Sequence, residues 1–275
     1  MRYRKFLFCI AACLGVFAMH ANAETPVDIT VNGTYIQVDS APVIESGRTL
    51  VPVRSVSNAL VFDRVEWDGA AKKVTVSDAD TEIILKIGDK TAVVNGVRKQ
   101  MDTAAKLIND RTYVPVRFVS EAMGAEVDWN HKLYTVEITK PGISVPGHAV
   151  NEDYTREDLD WLAKIVHAEA QGESHQGKVA VANVIMNRIE STDFPDTVYE
   201  VVFDRKYGVQ FTPVANGAIY NNPAQESYKA AKQALYGKDE AGESLYFCNP
   251  RTSTSSWIIN NRPFYKSIGN HDFFL

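Results

Sequence analysis

Cysteine is almost missing from this chain: three in 275 residues, two of them, Cys9 and Cys13, near the start. Beyond that start Cys248 stands alone, so no disulfide framework is available and the fold must rest on its core. Histidine is as scarce in the first half. His131 is the only one between Glu24 and Lys140, too few imidazoles for a copper site. No apolar run is long enough for a membrane span; the longest candidate, Phe6 to Met19, is too short. Positive charge is in deficit too, and that excludes a nucleic-acid partner and attraction to anionic lipid.

What is present begins with an export signal. Arg2, Arg4 and Lys5 precede the apolar run, and Ala21-Asn22-Ala23 supplies an A-x-A cleavage site. Residues 1–23 are therefore read as a signal peptide, the mature chain as secreted to the cell wall, with no stable membrane insertion after cleavage. Its loss leaves 26 basic against 34 acidic residues, a net charge of −8. Ile10-Ala11-Ala12-Cys13 imitates a lipoprotein box, but apolar residues continue past it to Met19. The A-x-A site is the preferred reading. The full sequence, with 45% hydrophobic and 23% charged residues, has room for two domains, an α+β multidomain chain.

Residues 24–139 contain a duplication. Gly47-Arg48-Thr49-Leu50-Val51-Pro52-Val53-Arg54 returns as Asp110-Arg111-Thr112-Tyr113-Val114-Pro115-Val116-Arg117, an offset of 63. Ser57 and Ala59 return as Ser120 and Ala122. After a one-residue gap, Val65 and Trp67 return as Val127 and Trp129. Short alternating strands, Asn-Gly turns and a helix around Val119 to Met123 predict a β-rich module. This half resembles the module first described at the N-terminus of copper amine oxidases. An accessory role follows, in wall or protein contact, without metal. Trp67 and Trp129 are either sugar platforms or core plugs. Residues 140–153 carry two prolines and two glycines without periodicity and read as an exposed linker.

Residues 154–275 hold the candidate chemistry. Leu159, Leu162 and Val166 step by three and four along one helical face, Thr155 and Asp158 form a capping-box-like start, and Gly172 supplies a stop. Glu169 continues that apolar stripe, and burial raises a carboxylate's pKa by stripping water from the charged form. A carboxylic acid still protonated near neutral pH is what glycosidic-bond cleavage requires as proton donor. Ser174 then restarts the chain into a helix that is apolar almost all round, in which Asn183 and Asn187 are expected to bond to backbone. Further short helices are expected after Thr197 and after Asn222-Pro223.

The motifs Ala168-Glu169-Ala170, Gly172-Glu173, Gly177 to Val184, Asn187-Arg188, Gln210-Phe211-Thr212-Pro213 and Ile268 to Phe274 follow one another in order. Together, over about the last 120 residues, they resemble the cell-wall hydrolase family of the spore-cortex-lytic-enzyme type. The resemblance implies a mainly α, lysozyme-like catalytic domain acting on peptidoglycan, with Glu169 as general acid/base and no cofactor. It also implies cleft roles for Gln210, Phe211, Tyr246 and Asn249, whose alternative is packing or turn formation. A second carboxylate is hard to find: Glu173 lies beyond the helix stop, Asp193 and Asp196 look like caps, and Asp204 sits in a charged run. A lytic transglycosylase needs only one, because the muramic acid 6-hydroxyl replaces water as the nucleophile. The competing class is a metal-dependent amidase using His271 with His167 or His175. A wall-binding protein that no longer cuts is the reading outside catalysis.

Overall fold

The duplication is visible strand by strand in a computed structural model that describes residues 25–253 and 256–275. The export signal and Cys13 lie outside the described residues. The first repeat comprises β1 (Asp28–Val31), β2 (Thr34–Tyr35), β3 (Val43–Glu45), β4 (Arg48–Pro52), α1 (Val53–Ala59), β5 (Arg64–Asp68) and β6 (Lys73–Ser77). An extra strand, β7 (Glu82–Lys86), intervenes. The second repeat then runs through β8 (Thr91–Val94), β9 (Val97–Gln100), β10 (Lys106–Ile108), β11 (Arg111–Pro115), α2 (Val116–Ala122), β12 (Glu126–Asn130) and β13 (Thr135–Thr139).

Pro52 and Pro115 lack the N–H that would extend their strands, and each stands directly before its helix. Asn32-Gly33 and Asn95-Gly96 take positive φ at both residues, as a tight hairpin turn requires. The two repeats meet where β4 pairs antiparallel with β11. Val51 lies opposite Val114, its own repeat mate, so a local two-fold axis passes between them. The sheets run β10-β11-β4-β3, β12-β13-β1-β2 and β5-β6-β7-β8-β9. Alternation buries one face of each inner strand, with Val74, Val76, Ile83, Leu85, Ala92 and Val94 in a common core.

The stretch expected to be an exposed linker is instead laid along this module. Asn32 Nδ2 donates to the carbonyls of Lys140 and Ile143 at 2.9 and 3.0 Å, while its Oδ1 accepts from Lys140 N at 2.9 Å. Gln37 N donates to Ala149 O at 2.8 Å and Asn151 N to Tyr35 O at 2.9 Å. Ile143 and Val145 lean on the core. The segment lacks periodicity, but its backbone groups find partners on β2 and the residues flanking it, and its apolar side chains on the core.

The second unit spans residues 156–275 and takes in residues 25–26. It is built on three long helices: α3 (Arg156–Ala170), α4 (His175–Glu190) and, further on, α7 (Gln225–Leu235). α3 buries Leu159, Leu162, Ile165 and Val166. α4 is capped by Ser174 Oγ, which accepts from Gly177 N at 3.2 Å, and is buried on nearly every side from Val179 to Ile185. Ala230, Ala231 and Ala234 let α7 approach closely. Between α4 and α7 lie α5 (Val198–Phe203) and α6 (Thr212–Asn216). α5 is capped by Thr197, whose Oγ1 accepts from Glu200 N, and buries Val198, Val201 and Val202 as expected.

After α7 come β14 (Tyr246–Cys248), α8 (Trp257–Asn261), β15 (Phe264–Ile268) and β16 (His271–Phe274). Their antiparallel sheet, in the order β14-β16-β15, adds strands to a unit expected to be mainly α. No described helix is long and apolar enough to cross a membrane.

Candidate active site

Glu169 occupies the last turn of α3. By helical geometry it falls between the buried stripe through Leu162 and Val166 and the face that carries Trp161. It is half-buried, and its carboxyl makes no hydrogen bond or ion pair with any described residue. Burial alone pushes its pKa up to about 7. The adjoining face of α3 is aromatic. Trp161 packs edge-on against Tyr199, Phe203 and Tyr220 at 5.3, 5.0 and 6.3 Å, and Lys164 covers its ring at 3.8 Å. Tyr199 and Tyr220 remain exposed, offering apolar surface of the kind sugar rings use.

Four residues on, Glu173 is fully engaged. Its Oε2 accepts from Asn270 N at 3.0 Å and its Oε1 from Asn270 Nδ2 at 2.8 Å. Burial pushes this carboxyl up. The two bonds from Asn270, with the charges of His271 and Lys178, outweigh it and hold the pKa below the ordinary value. Asn270 Oδ1 in turn accepts from Arg251. Glu173 thus ties the loop after α3 to the β15–β16 turn and to the loop holding Asn249. One of these bonds is to backbone and one to a side chain, and both are made 97 residues away. Gly269 is required beside it, since a Cβ there would collide with Glu173 Oε2 and its φ is +62°.

Phe211 and Tyr246 come together around a residue that had no assigned role. Arg188 is 4% exposed, donates from Nε to Leu245 O at 2.8 Å, and sets its guanidinium 4.8 Å from Phe194, 5.2 Å from Phe211 and 5.4 Å from Tyr246. Burial lowers its pKa to about 10, against the pull of Tyr246 and Asp204. Asn183 and Asn187 continue this polar edge of α4. Asn183 bonds Lys238 O and Glu240 N, and Asn187 bonds the carbonyls of Gly242 and Ser244. The helix therefore fixes the loop leading into β14. Only the Asn-Arg pair closing the α4 motif hinted at this.

The remaining candidates sit apart from that cluster. Gln210 is half-buried and donates back to Gly208 O at 3.2 Å. Asn249 turns its own loop, its Oδ1 accepting from Arg251 N at 3.0 Å. Asp193 and Asp196 are exposed, and Asp204 accepts from Lys206 N. Cys248 is half-buried, with a thiol pKa raised by burial and by Asp272, the wrong direction for a nucleophile. The three histidines do not converge. His167 Nδ1 faces Ala224 N and Ser227 Oγ, His175 Nε2 meets Gln233 at 2.8 Å, and His271 lies edge-on to Phe247.

Comparison with known proteins finds the same two parts. Residues 30–138 match the copper amine oxidase N-terminal domain family, and residues 172–274 match the family described as cell wall hydrolase. Glu169 lies just ahead of the second match. The spore cortex-lytic enzyme of Oceanobacillus iheyensis is 42% identical over 133 residues, 48% of this chain and 45% of that protein. A solved catalytic domain, from the germination-specific lytic transglycosylase SleB of Bacillus anthracis, is 43% identical. It covers 46% of this chain and 100% of that one, with a TM-score of 0.42. Cell wall hydrolase CwlJ of Halalkalibacterium halodurans is 32% identical over 102 residues, 35% of this chain and 70% of that protein. The chain spans between 35% and 48% of the length of the spore cortex-lytic enzymes it matches. Through its second unit, the chain belongs to the cell wall hydrolase family.

Proposed function

We propose that the second unit cleaves the glycan strand of peptidoglycan as a lytic transglycosylase, with Glu169 as its one general acid/base. The observation carrying this is the state of that carboxyl: half-buried, without a partner among the described residues, and with a pKa of about 7. Near neutral pH both protonation states are populated, and the reaction uses each in turn. The acid gives its proton to the glycosidic oxygen as the bond to the muramic acid anomeric carbon breaks. The resulting carboxylate takes a proton from the 6-hydroxyl of the same sugar, whose oxygen closes on that carbon. The product is a 1,6-anhydro ring, no water is consumed, and Glu169 ends protonated again.

A two-carboxylate hydrolysis needs a second free acid at the site. Glu173 is committed to Asn270, Asp204 to its own turn, and Asp193 and Asp196 to solvent, which favours the single-acid route. Phe211 and Tyr246 are assigned to the cleft wall, and Gln210 and Asn249 to sugar hydroxyl or acetamido groups. Residues 1–23 direct export, and the enzyme acts outside the cytoplasm.

Mass spectrometry of peptidoglycan digested by the full chain tests this. Anhydro-muropeptides are the expected products. Reducing ends in their place would convert the assignment to a hydrolase, and freed stem peptides would convert it to an amidase.

A further inference from the structure

The duplicated module carries two grooves related by its internal two-fold. The first, about 460 Å³, is lined by Asp39, Pro52, Arg54, Trp67 and Arg111 among others. The second, about 720 Å³, is lined by Asp102, Pro115, Arg117, Trp129 and Arg48 in the corresponding places. Each groove takes its tryptophan and helix from one repeat and an arginine-bearing strand from the other. The ion pairs repeat as well: Arg111 Nε to Asp39 at 3.1 Å, and Arg48 Nε to Asp102 at 2.7 Å.

The two have diverged at their aromatic floors. Trp129 is packed onto the module core, meets Tyr134 edge-on at 5.0 Å, and donates from Nε1 to His131 Nδ1 at 3.1 Å. Arg117 beside it is tied to Val127 O at 2.6 Å and lies 3.8 Å from Glu121. In the first groove Gly69 and Lys72 stand where the second has His131 and Tyr134. Trp67 accordingly stays 42% exposed, with no ring neighbour or hydrogen bond among the described residues. Arg54 is exposed and has no ion-pair or hydrogen-bond partner among them either. The second groove is the larger, but its indole and guanidinium are both occupied. The smaller one presents an indole without ring neighbour or hydrogen bond and a guanidinium without polar partner among the described residues.

We propose that the Trp67 groove is a binding site for a pyranose polymer bearing carboxylate substituents, one sugar ring lying on the indole and a carboxylate meeting Arg54. A flat indole suits the C–H face of a pyranose. An unengaged guanidinium suits a carboxylate, which it grips with paired N–H donors. The exposed side-chain amide of Asn109, which also lines the groove, supplies a partner for hydroxyl and acetamido groups. Stacked nucleic-acid bases would want the same platform, but they bring a phosphate at every nucleotide, and tight binding of such a backbone takes many basic contacts, where the groove offers one unengaged arginine on an acidic chain. The choice of wall glycan as that polymer rests on the function proposed above; the groove's chemistry does not.

The test is co-sedimentation of the full chain carrying Glu169→Gln with purified insoluble peptidoglycan, at low temperature, so that binding is read without cleavage. Trp67→Ala and Arg54→Gln are each expected to weaken binding about tenfold, and Trp67→Phe to retain most of it. Gly69→His with Lys72→Tyr, which copies the second groove's cover onto the first, should weaken it similarly with Trp67 untouched. Trp129→Ala should lower the melting temperature and leave affinity within about twofold. Amidating the polymer's carboxylates should remove the contribution of Arg54 and leave that of Trp67. The proposal is overturned by a parent that does not bind, by a covered groove that binds like the parent, or by Trp129→Ala being the variant that loses the wall. Retention by a proteinaceous contaminant, abolished by protease treatment of the sacculi, also overturns it. A Glu169→Gln chain that still cut would refute the acid/base assignment and leave this series readable.

Discussion

The last turn of α3 and the loop after it hold two glutamates, four residues apart, in opposite circumstances. Glu169 loses water and gains nothing in return, so its proton stays on to a pH of about 7. Glu173 also loses water, but two N–H donors from Asn270 favour its charged form, and its pKa falls. The lesson is that burial alone does not keep a carboxyl protonated; burial without a hydrogen-bond donor does. One carboxyl has no partner among the described residues, and the other joins a loop to a hairpin turn.

The sharpest way to break that contrast is to remove each charge in turn. Glu169→Gln is expected to lower the rate of anhydro-muropeptide release by about 10² to 10⁴-fold, the range for loss of a general acid/base. Glu173→Gln should cost far less. Equal losses in the two variants would end the distinction. The pH dependence of rate should show a limb near 7 that falls on the alkaline side, since the first step needs the protonated acid. A limb near the ordinary carboxylate value of 4.5 would contradict the assignment.

Stability carries the next largest effect, and with opposite signs. Glu169 has a folded pKa above its unfolded value, so the folded state binds the extra proton. Its contribution to stability is intact below about 4.5 and lost as pH rises through about 7. Up to about 3 kcal/mol is at stake, at about 1.4 kcal/mol for each pH unit that separates the folded from the unfolded value. Glu169→Gln should therefore melt higher than the parent at pH 8 and close to it at pH 4. Glu173 has a lowered folded pKa, so its contribution is present above the unfolded value and lost as pH falls. Glu173→Ala should destabilise at neutral pH by about 1–3 kcal/mol, the cost of leaving its donors unpaired, and by less in acid. Thermal melts of both variants across pH settle the signs.

Gly269→Ala probes the same lock from the other side. It puts a methyl where Glu173 Oε2 sits and forces a left-handed backbone on alanine, with an expected loss of about 1–2 kcal/mol. Recovery of part of that loss in Gly269→Ala with Glu173→Ser would show that the collision, not the backbone alone, is responsible. Cys248→Ser should have the smallest effect, leaving activity unchanged. A large loss would reopen a role for the thiol.

The position of Glu169 at the end of a half-buried helix face was legible because it is set locally: three-and-four spacing, a helix stop and an apolar stripe lie within fifteen residues of one another. The duplication was legible because whole words recur, from Arg48 to Pro52 and from Arg111 to Pro115. The Glu173–Asn270–Arg251 lock was not. Its members are spread over 97 residues, and no periodicity links a loop, a hairpin turn and a strand exit. The sheet from Tyr246 to Phe274 escaped for a related reason. Its strands have three to five residues, and a bulge between Phe264 and Lys266 breaks the alternation that would announce them. The division of labour between Trp67 and Trp129 turns on what stands two and five positions later, glycine and lysine in one case, histidine and tyrosine in the other. A repeated tryptophan by itself says neither platform nor plug.

The pairing of Val51 with Val114 reaches beyond the module's present shape. A strand whose natural neighbour is its own duplicate is self-complementary, so a lone half would leave a bare edge that a second identical chain could satisfy in the same register. The tandem arrangement makes that encounter intramolecular, replacing a concentration-dependent assembly with one fixed by chain length. It also frees the two halves to drift apart in sequence, since a change in one no longer appears in both.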